Sequence, residues 1–199
     1  MVVPTLNSKI TSRVITSIDR YLREKGYTTL IQNSDHNIDQ ELQNIQRLIQ
    51  LNVDGILISS IAITKDHKEL LKKAGIPVVV LTQDYEDGIS IIYDDYHAGK
   101  AMGEHIGKKG HQKVGYIGVY ETDKAVGTER RNGVLDGLKE YGITPVIGKS
   151  DYSFLGGQTV ARELLEKEPD LDAIICATDR LAFGTYKILH EYKKEIPEE

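Results

Sequence analysis

Short β-branched runs alternate with stretches of helical period from end to end of the chain, the pattern that a parallel sheet with crossover helices writes into a sequence. Val2-Val3 reads as a buried strand end. Ile10, Val14, Ile18 and Leu22 then recur every four residues, keeping one helix face apolar until Gly26 can take the left-handed cap. Thr29-Leu30-Ile31 reads as the next strand, and Asp39 as the N-cap of a helix whose core face is Leu42, Ile45, Leu48 and Ile49. Gly55 to Ser59 is a third strand. Thr64 or Asp66 caps a short helix through Leu70 and Leu71 that Gly75 closes, and Pro77 to Leu81 and Ser90 to Tyr93 are the fourth and fifth strands.

The pattern then restarts. A helix over Ala98 to Lys108 stops at Gly110, Val114 to Ile117 is a strand, and a helix runs from Thr128 to Tyr141. Pro145 to Ile147 and Ala173 to Cys176 are strands, and Gly157 to Lys167 and Leu181 to Tyr192 are helices. A single sheet would need all eight strands side by side, whereas two domains of about 100 residues each match ordinary domain size. The predicted fold class is therefore α/β with two doubly wound parallel-sheet lobes, 1–95 and 96–199, joined near Asp94-Asp95.

Charge and composition narrow the function. The 199 residues carry a formal net charge of −5, which gives this chain no electrostatic affinity for nucleic acid. The hydrophobic fraction of 40% supports a packed core, while the longest apolar runs fall far short of the roughly 20 residues of a membrane span. The opening Met-Val-Val-Pro-Thr-Leu-Asn has neither a basic region nor a long apolar one, so export is unsupported. The lone Cys176 lies in an apolar run and reads as a small packed hydrophobe. A reducing cytoplasm is the expected compartment.

Open parallel sheets bind ligands beyond the carboxyl ends of their strands, where loops and helix N-termini converge. Those ends supply Thr5, Asn7, Ser8, Asn33 to Asp35, Ser59, Ser60, Thr82, Gln83, Asp94 and Asp95 from the first half, and Glu121 to Thr128, Asp151, Tyr152, Thr178 and Asp179 from the second. Hydroxyls, amides, an arginine and an aromatic ring suit a polyhydroxylated ligand, whose hydroxyls need donors and acceptors and whose C–H face needs an apolar plate. No strand is followed by a glycine-rich phosphate loop or a dinucleotide fingerprint. The six histidines lack metal-ligand spacing, and no nucleophile elbow is present. The sequence reads as a binder, with no cofactor, no metal and no catalytic residue expected.

At Gly127-Thr128-Glu129-Arg130-Arg131-Asn132-Gly133 the chain resembles the Arg-x-x-Gly helix start of the LacI/GalR family of bacterial transcriptional regulators, in their effector-binding core. Val3-Pro4-Thr5, Asn52 to Leu57, Asp94 to Gly99 with Gly110 to Val114, and Ala177 to Gly184 agree in order and spacing. The resemblance covers essentially the whole chain and implies a periplasmic-binding-protein-like fold, incomplete at its C-terminal end, that closes on a sugar or sugar phosphate. It further implies a homodimer that meets operator DNA only through a helix-turn-helix domain preceding Val2. The alternative is an exported sugar-binding protein of a transport system with the same fold; an enzyme on this scaffold is a third reading.

The resemblance places Arg130 on the family's arginine, gripping sugar hydroxyls, against the plainer reading of an arginine paired with Glu129 or another acid. Tyr152 would stack on the ligand, or else be a buried strand-end tyrosine. Thr178 and Asp179 serve either as ligand contacts or as a helix cap. Thr82 stands where many members carry Asp, and Lys124 is either a ligand contact or a solvated loop lysine. For Asp95, capping of the following helix is the expected role.

Overall fold

The computed structural model describes residues 1–197. The chain divides into two compact units, Met1–Tyr93 and Asp94–Glu199.

In unit 1 the elements are β1 (Val2–Val3), α1 (Lys9–Glu24), β2 (Gln32–Asn33), α2 (Ile38–Gln50), β3 (Ile56–Ser59), α3 (Lys65–Ala74), β4 (Val78–Leu81) and β5 (Ile89–Ile91). All strands are parallel in the order β2-β1-β3-β4-β5. Val2, Ile56, Ile58 and Val80 of the sheet pack against Ile45, Leu48 and Leu71 of α2 and α3. Met1, Val3 and Ile15 form a smaller cluster with Ile18 and Leu57, on α1.

Three details differ from the sequence pattern. Ile10 is 67% exposed and Ile15 is buried. A four-residue repeat outruns the 3.6-residue turn by about 40° per step, so Ile10 rotates out of an arc centred on Ile18 and Leu22. The second strand is Gln32–Asn33 and not Thr29 to Ile31, because Val2 pairs with Gln32 and Val3 with Asn33. α2 starts two residues earlier than Asp39 implies: Asn37 is its N-cap, accepting from the Gln40 N–H at 2.9 Å. Thr64 caps α3 in a capping box with His67. The His67 Nδ1 accepts from the Thr64 N–H at 3.2 Å, and its Nε2 lies 3.0 Å from the buried Glu41 carboxylate.

Unit 2 comprises α4 (Asp95–Lys109), β6 (Val114–Val119), a π-helical turn (Lys124–Arg130), α5 (Arg131–Lys139), β7 (Val146–Ser150), α6 (Phe154–Lys167), β8 (Ala173–Cys176) and α7 (Asp179–Glu191). Its sheet is β7-β6-β8, again parallel. All six residues of β6 are buried, as expected of a central strand covered on both faces.

Glycines bring the flanking helices into backbone contact. A Cβ on Gly99 or Gly103 of α4 would lie 2.0 Å from Arg130 O or 2.4 Å from Val134 O. On Gly133 or Gly137 of α5 it would meet Tyr96 O at 2.0 Å or Lys100 O at 2.4 Å. α4 and α5 therefore touch through their main chains, fixing the start of one helix against the start of the other. α6 and α7 do the same at Gly157 and Gly184.

Candidate ligand-binding site

The carboxyl ends of β6, β7 and β8 are where the chain gathers its convergent polar groups. The loop after β6 does not enter an ordinary helix at Thr128. It winds into the π-helical turn from Lys124, capped by Asp123, whose Oδ1 accepts from the Val126 N–H at 3.0 Å. π-turns open the helix by one residue, a feature found frequently at functional sites. Gly127 makes this turn possible, since a Cβ there would lie 2.1 Å from Tyr120 O.

Arg130 ends that turn and points into unit 2. Its Nε and Nη2 donate to Asp95 Oδ1 at 2.8 and 2.5 Å, and its Nη1 donates to the Ala177 carbonyl at 2.7 Å. The Asp95 side chain is 5% exposed and that of Arg130 23%. The plainer expectation, an arginine paired with an acid, thus holds in part, with Asp95 and not Glu129 as the acid. The expected capping role of Asp95 passes to Asp94, whose carboxylate accepts from the His97 N–H at 3.2 Å. Asp95 is the first helical residue and turns inward.

Tyr152 follows β7, half-buried against the unit 2 core. Its hydroxyl donates to Asp123 Oδ2 at 2.5 Å. Burial first, then the Asp123 charge, push the phenol well above its ordinary value; Arg130 acts in the opposite sense. Tyr152 therefore stays a neutral donor. Thr178 caps α7, accepting from the Leu181 N–H at 3.4 Å, and Asp179 is exposed on the first turn. Lys124 is exposed at the start of the π-turn.

In unit 1 the predicted residues stand at the corresponding strand ends. Thr5 follows β1 and accepts from the Asn7 N–H at 3.1 Å. Ser59 ends β3, half-buried. Thr82 follows β4 at φ +71°, a conformation costly for a β-branched residue, with its hydroxyl donating to the Leu81 carbonyl at 2.5 Å or the Ser60 carbonyl at 3.2 Å.

Sequence reasoning counted Asp95 and Asp123 among the strand-end groups without assigning them the roles they have here, holding Arg130 and Tyr152. Both carboxylates are buried and both hold a predicted site residue in place. Asp123 carried the signal of an N-cap, an Asp three residues before the apolar Val126 whose N–H it accepts from. Arg131, next to Arg130, pairs with Glu121, which also bonds Lys149 at 2.6 Å. The Lys149 hydrogen bond leads in drawing the Glu121 carboxyl down to about 2.

Among the described residues no cluster of His, Cys, Asp and Glu could hold a metal ion, and no helix is long and apolar enough to cross a membrane. Residues 1–198 match the family described as "Periplasmic binding proteins and sugar binding domain of LacI family". The sucrose operon repressor of Staphylococcus xylosus is 30% identical over 197 residues, aligning 99% of this chain with 62% of that protein. A LacI family transcriptional regulator from Enterococcus faecium, solved with bound ribose, is 28% identical with a TM-score of 0.84, covering 99% of this chain and 73% of that one. A LacI family regulator from Silicibacter pomeroyi, at 23% identity and a TM-score of 0.89, shares the fold over 99% of this chain and 76% of its own. The chain spans 62% of the Staphylococcus repressor and 56% of the regulator GntR of Escherichia coli K12. By its α/β architecture and this match along its length, the chain belongs to the family of periplasmic binding proteins and LacI sugar-binding domains.

Proposed function

We propose that the chain is the effector-binding core of a sugar-responsive transcriptional repressor. The observation that carries this reading is the placement of Arg130 at the strand ends of unit 2, held by Asp95 and the Ala177 carbonyl with three of its N–H groups engaged. A guanidinium has five N–H donors, so two remain for a ligand. Beside it, Tyr152 offers a ring for sugar C–H groups. Thr178, Asp179 and Lys124 stand at the strand ends of unit 2, and Thr5, Ser59 and Thr82 at those of unit 1.

The regulators matched along the chain favour repression over transport. A ligand acts on such a protein by population shift: it favours the arrangement that binds it better, and the coupling free energy changes operator affinity. A homodimer is the assembly this reading requires, with DNA contacts made by another part of the protein, in the cytoplasm. No bond is made or broken.

The test is operator binding by the full-length protein, titrated with D-ribose, sucrose and other sugars. The reading predicts a saturable change in operator affinity with at least one of them, and a rise in thermal stability with ligand concentration. A protein that binds sugars but neither dimerises nor binds DNA would belong to transport instead.

A further inference from the structure

We propose that Asp95 is a specificity-determining residue that makes the strand ends of unit 2 a receptor for uncharged polyhydroxylated ligands and selects against their phosphate esters and acids. This rests on the effector-binding reading above and narrows it.

An unpaired arginine fork is suited to carboxylate or phosphate, which it binds through two parallel N–H donors. Here the Nε–Nη2 side of the Arg130 fork is already filled, both nitrogens donating to one oxygen of Asp95. That carboxylate is 5% exposed. An anionic ligand taking its place would leave a buried charge without its partner, the costly outcome for an ion pair of this kind. The two N–H groups that remain can donate to hydroxyl oxygens, which ask for no countercharge.

The surroundings point the same way. At the strand ends of unit 2, Lys124, Arg130 and Arg180 stand against Asp95, Asp123, Asp151 and Asp179. The other two basic groups there, Arg131 and Lys149, are drawn to Glu121.

The experiment is calorimetric titration of the full chain with matched pairs, D-ribose against D-ribose 5-phosphate and sucrose against sucrose 6-phosphate. The wild-type protein is expected to bind the uncharged member of the recognised pair at least tenfold more tightly. Asp95→Asn keeps an oxygen for Arg130 and removes the charge, so the preference is expected to shrink tenfold or invert. Glu166→Gln, the same loss of charge on the last turns of α6, is expected to leave the ratio unchanged. A wild-type preference for the phosphate overturns the proposal by itself, whether or not the Asn variant folds, as does an unchanged ratio in a folded Asp95→Asn protein. Binding of neither member of any sugar pair overturns the effector reading too, whereas phosphate-only binding leaves that reading standing.

Discussion

Gly133→Ala tests the packing that holds the site together. In an exposed helix this substitution stabilises by about 1 kcal/mol through helix propensity. In this chain the new Cβ would lie 2.0 Å from Tyr96 O, 2.7 Å from Lys100 N and 2.9 Å from Tyr96 C. All three are backbone atoms of α4, so no rotamer change relieves the overlap. Contacts of about 3.5 Å or more are comfortable between such atoms, and the helices must part by at least ~1 Å. A gap of that size forfeits a quarter to a half of the attraction at each contact along the seam, and overpacking of this kind costs about 1–3 kcal/mol or more. Taking the upper end of that range, because the clash is with backbone atoms, the loss net of the propensity gain is about 2 kcal/mol. Urea denaturation followed by circular dichroism reads the change as a lowered midpoint at constant slope. Sugar affinity should fall as well, because Asp95 and Arg130 start the two helices being separated. A Gly133→Ala protein as stable as wild type, or more stable, would refute the close approach of α4 and α5.

Other expectations follow from single groups. The Tyr116 side chain is fully buried, burial raises its phenol to about 12, and its hydroxyl has no hydrogen-bond partner among the described residues. An unpaired buried hydroxyl costs about 1–3 kcal/mol, so Tyr116→Phe should stabilise the protein by about 1 kcal/mol in the same denaturation assay; a destabilised variant would show a missed partner. Burial pushes the Cys176 thiol from its ordinary 9.0 to about 11. Its stabilisation is complete below pH 9 and disappears as pH rises through 11, and a disulfide reagent at pH 8 should label the thiol only when urea unfolds the chain. Glu121 is depressed from 4.5 to about 2, so its contribution is present above pH 4.5 and lost as pH falls toward 2. Glu121→Gln should therefore flatten the stability profile across that window; an unchanged profile would assign the acid limb to other carboxylates.

The alternation of strand and helix was legible because it depends on periodicity alone, and the predicted β8, Ala173 to Cys176, is the observed strand. Boundaries failed where pairing or capping decided them. β2 is placed by the register of β1, a long-range constraint that the apolar run Thr29 to Ile31 cannot reveal. The π-turn escaped for a similar reason: helical period cannot show that Gly127 must pass 2.1 Å from Tyr120 O if it carried a Cβ. The strand-end residues were legible in the sequence, but not the groups that hold them. The resemblance singled out Arg130 and Tyr152, while their buried partners Asp95 and Asp123 stand 35 and 29 residues away in sequence. It also hid a cost, since Arg130 at a helix start looks dispensable to the fold. Removing its charge would strand a buried carboxylate, a loss of about 3–5 kcal/mol.

That cost selects the decisive variant. Arg130→Lys keeps a cation beside Asp95 and loses the fork, so folding and recognition separate. Calorimetric titration of the full chain with its preferred uncharged sugar should show saturable binding by wild type. Arg130→Lys should weaken it by about 10- to 100-fold, the worth of one or two charge-assisted hydrogen bonds, while the unfolding midpoint moves little. Equal affinities for the two proteins would remove Arg130 from the ligand site and contradict the account at its centre.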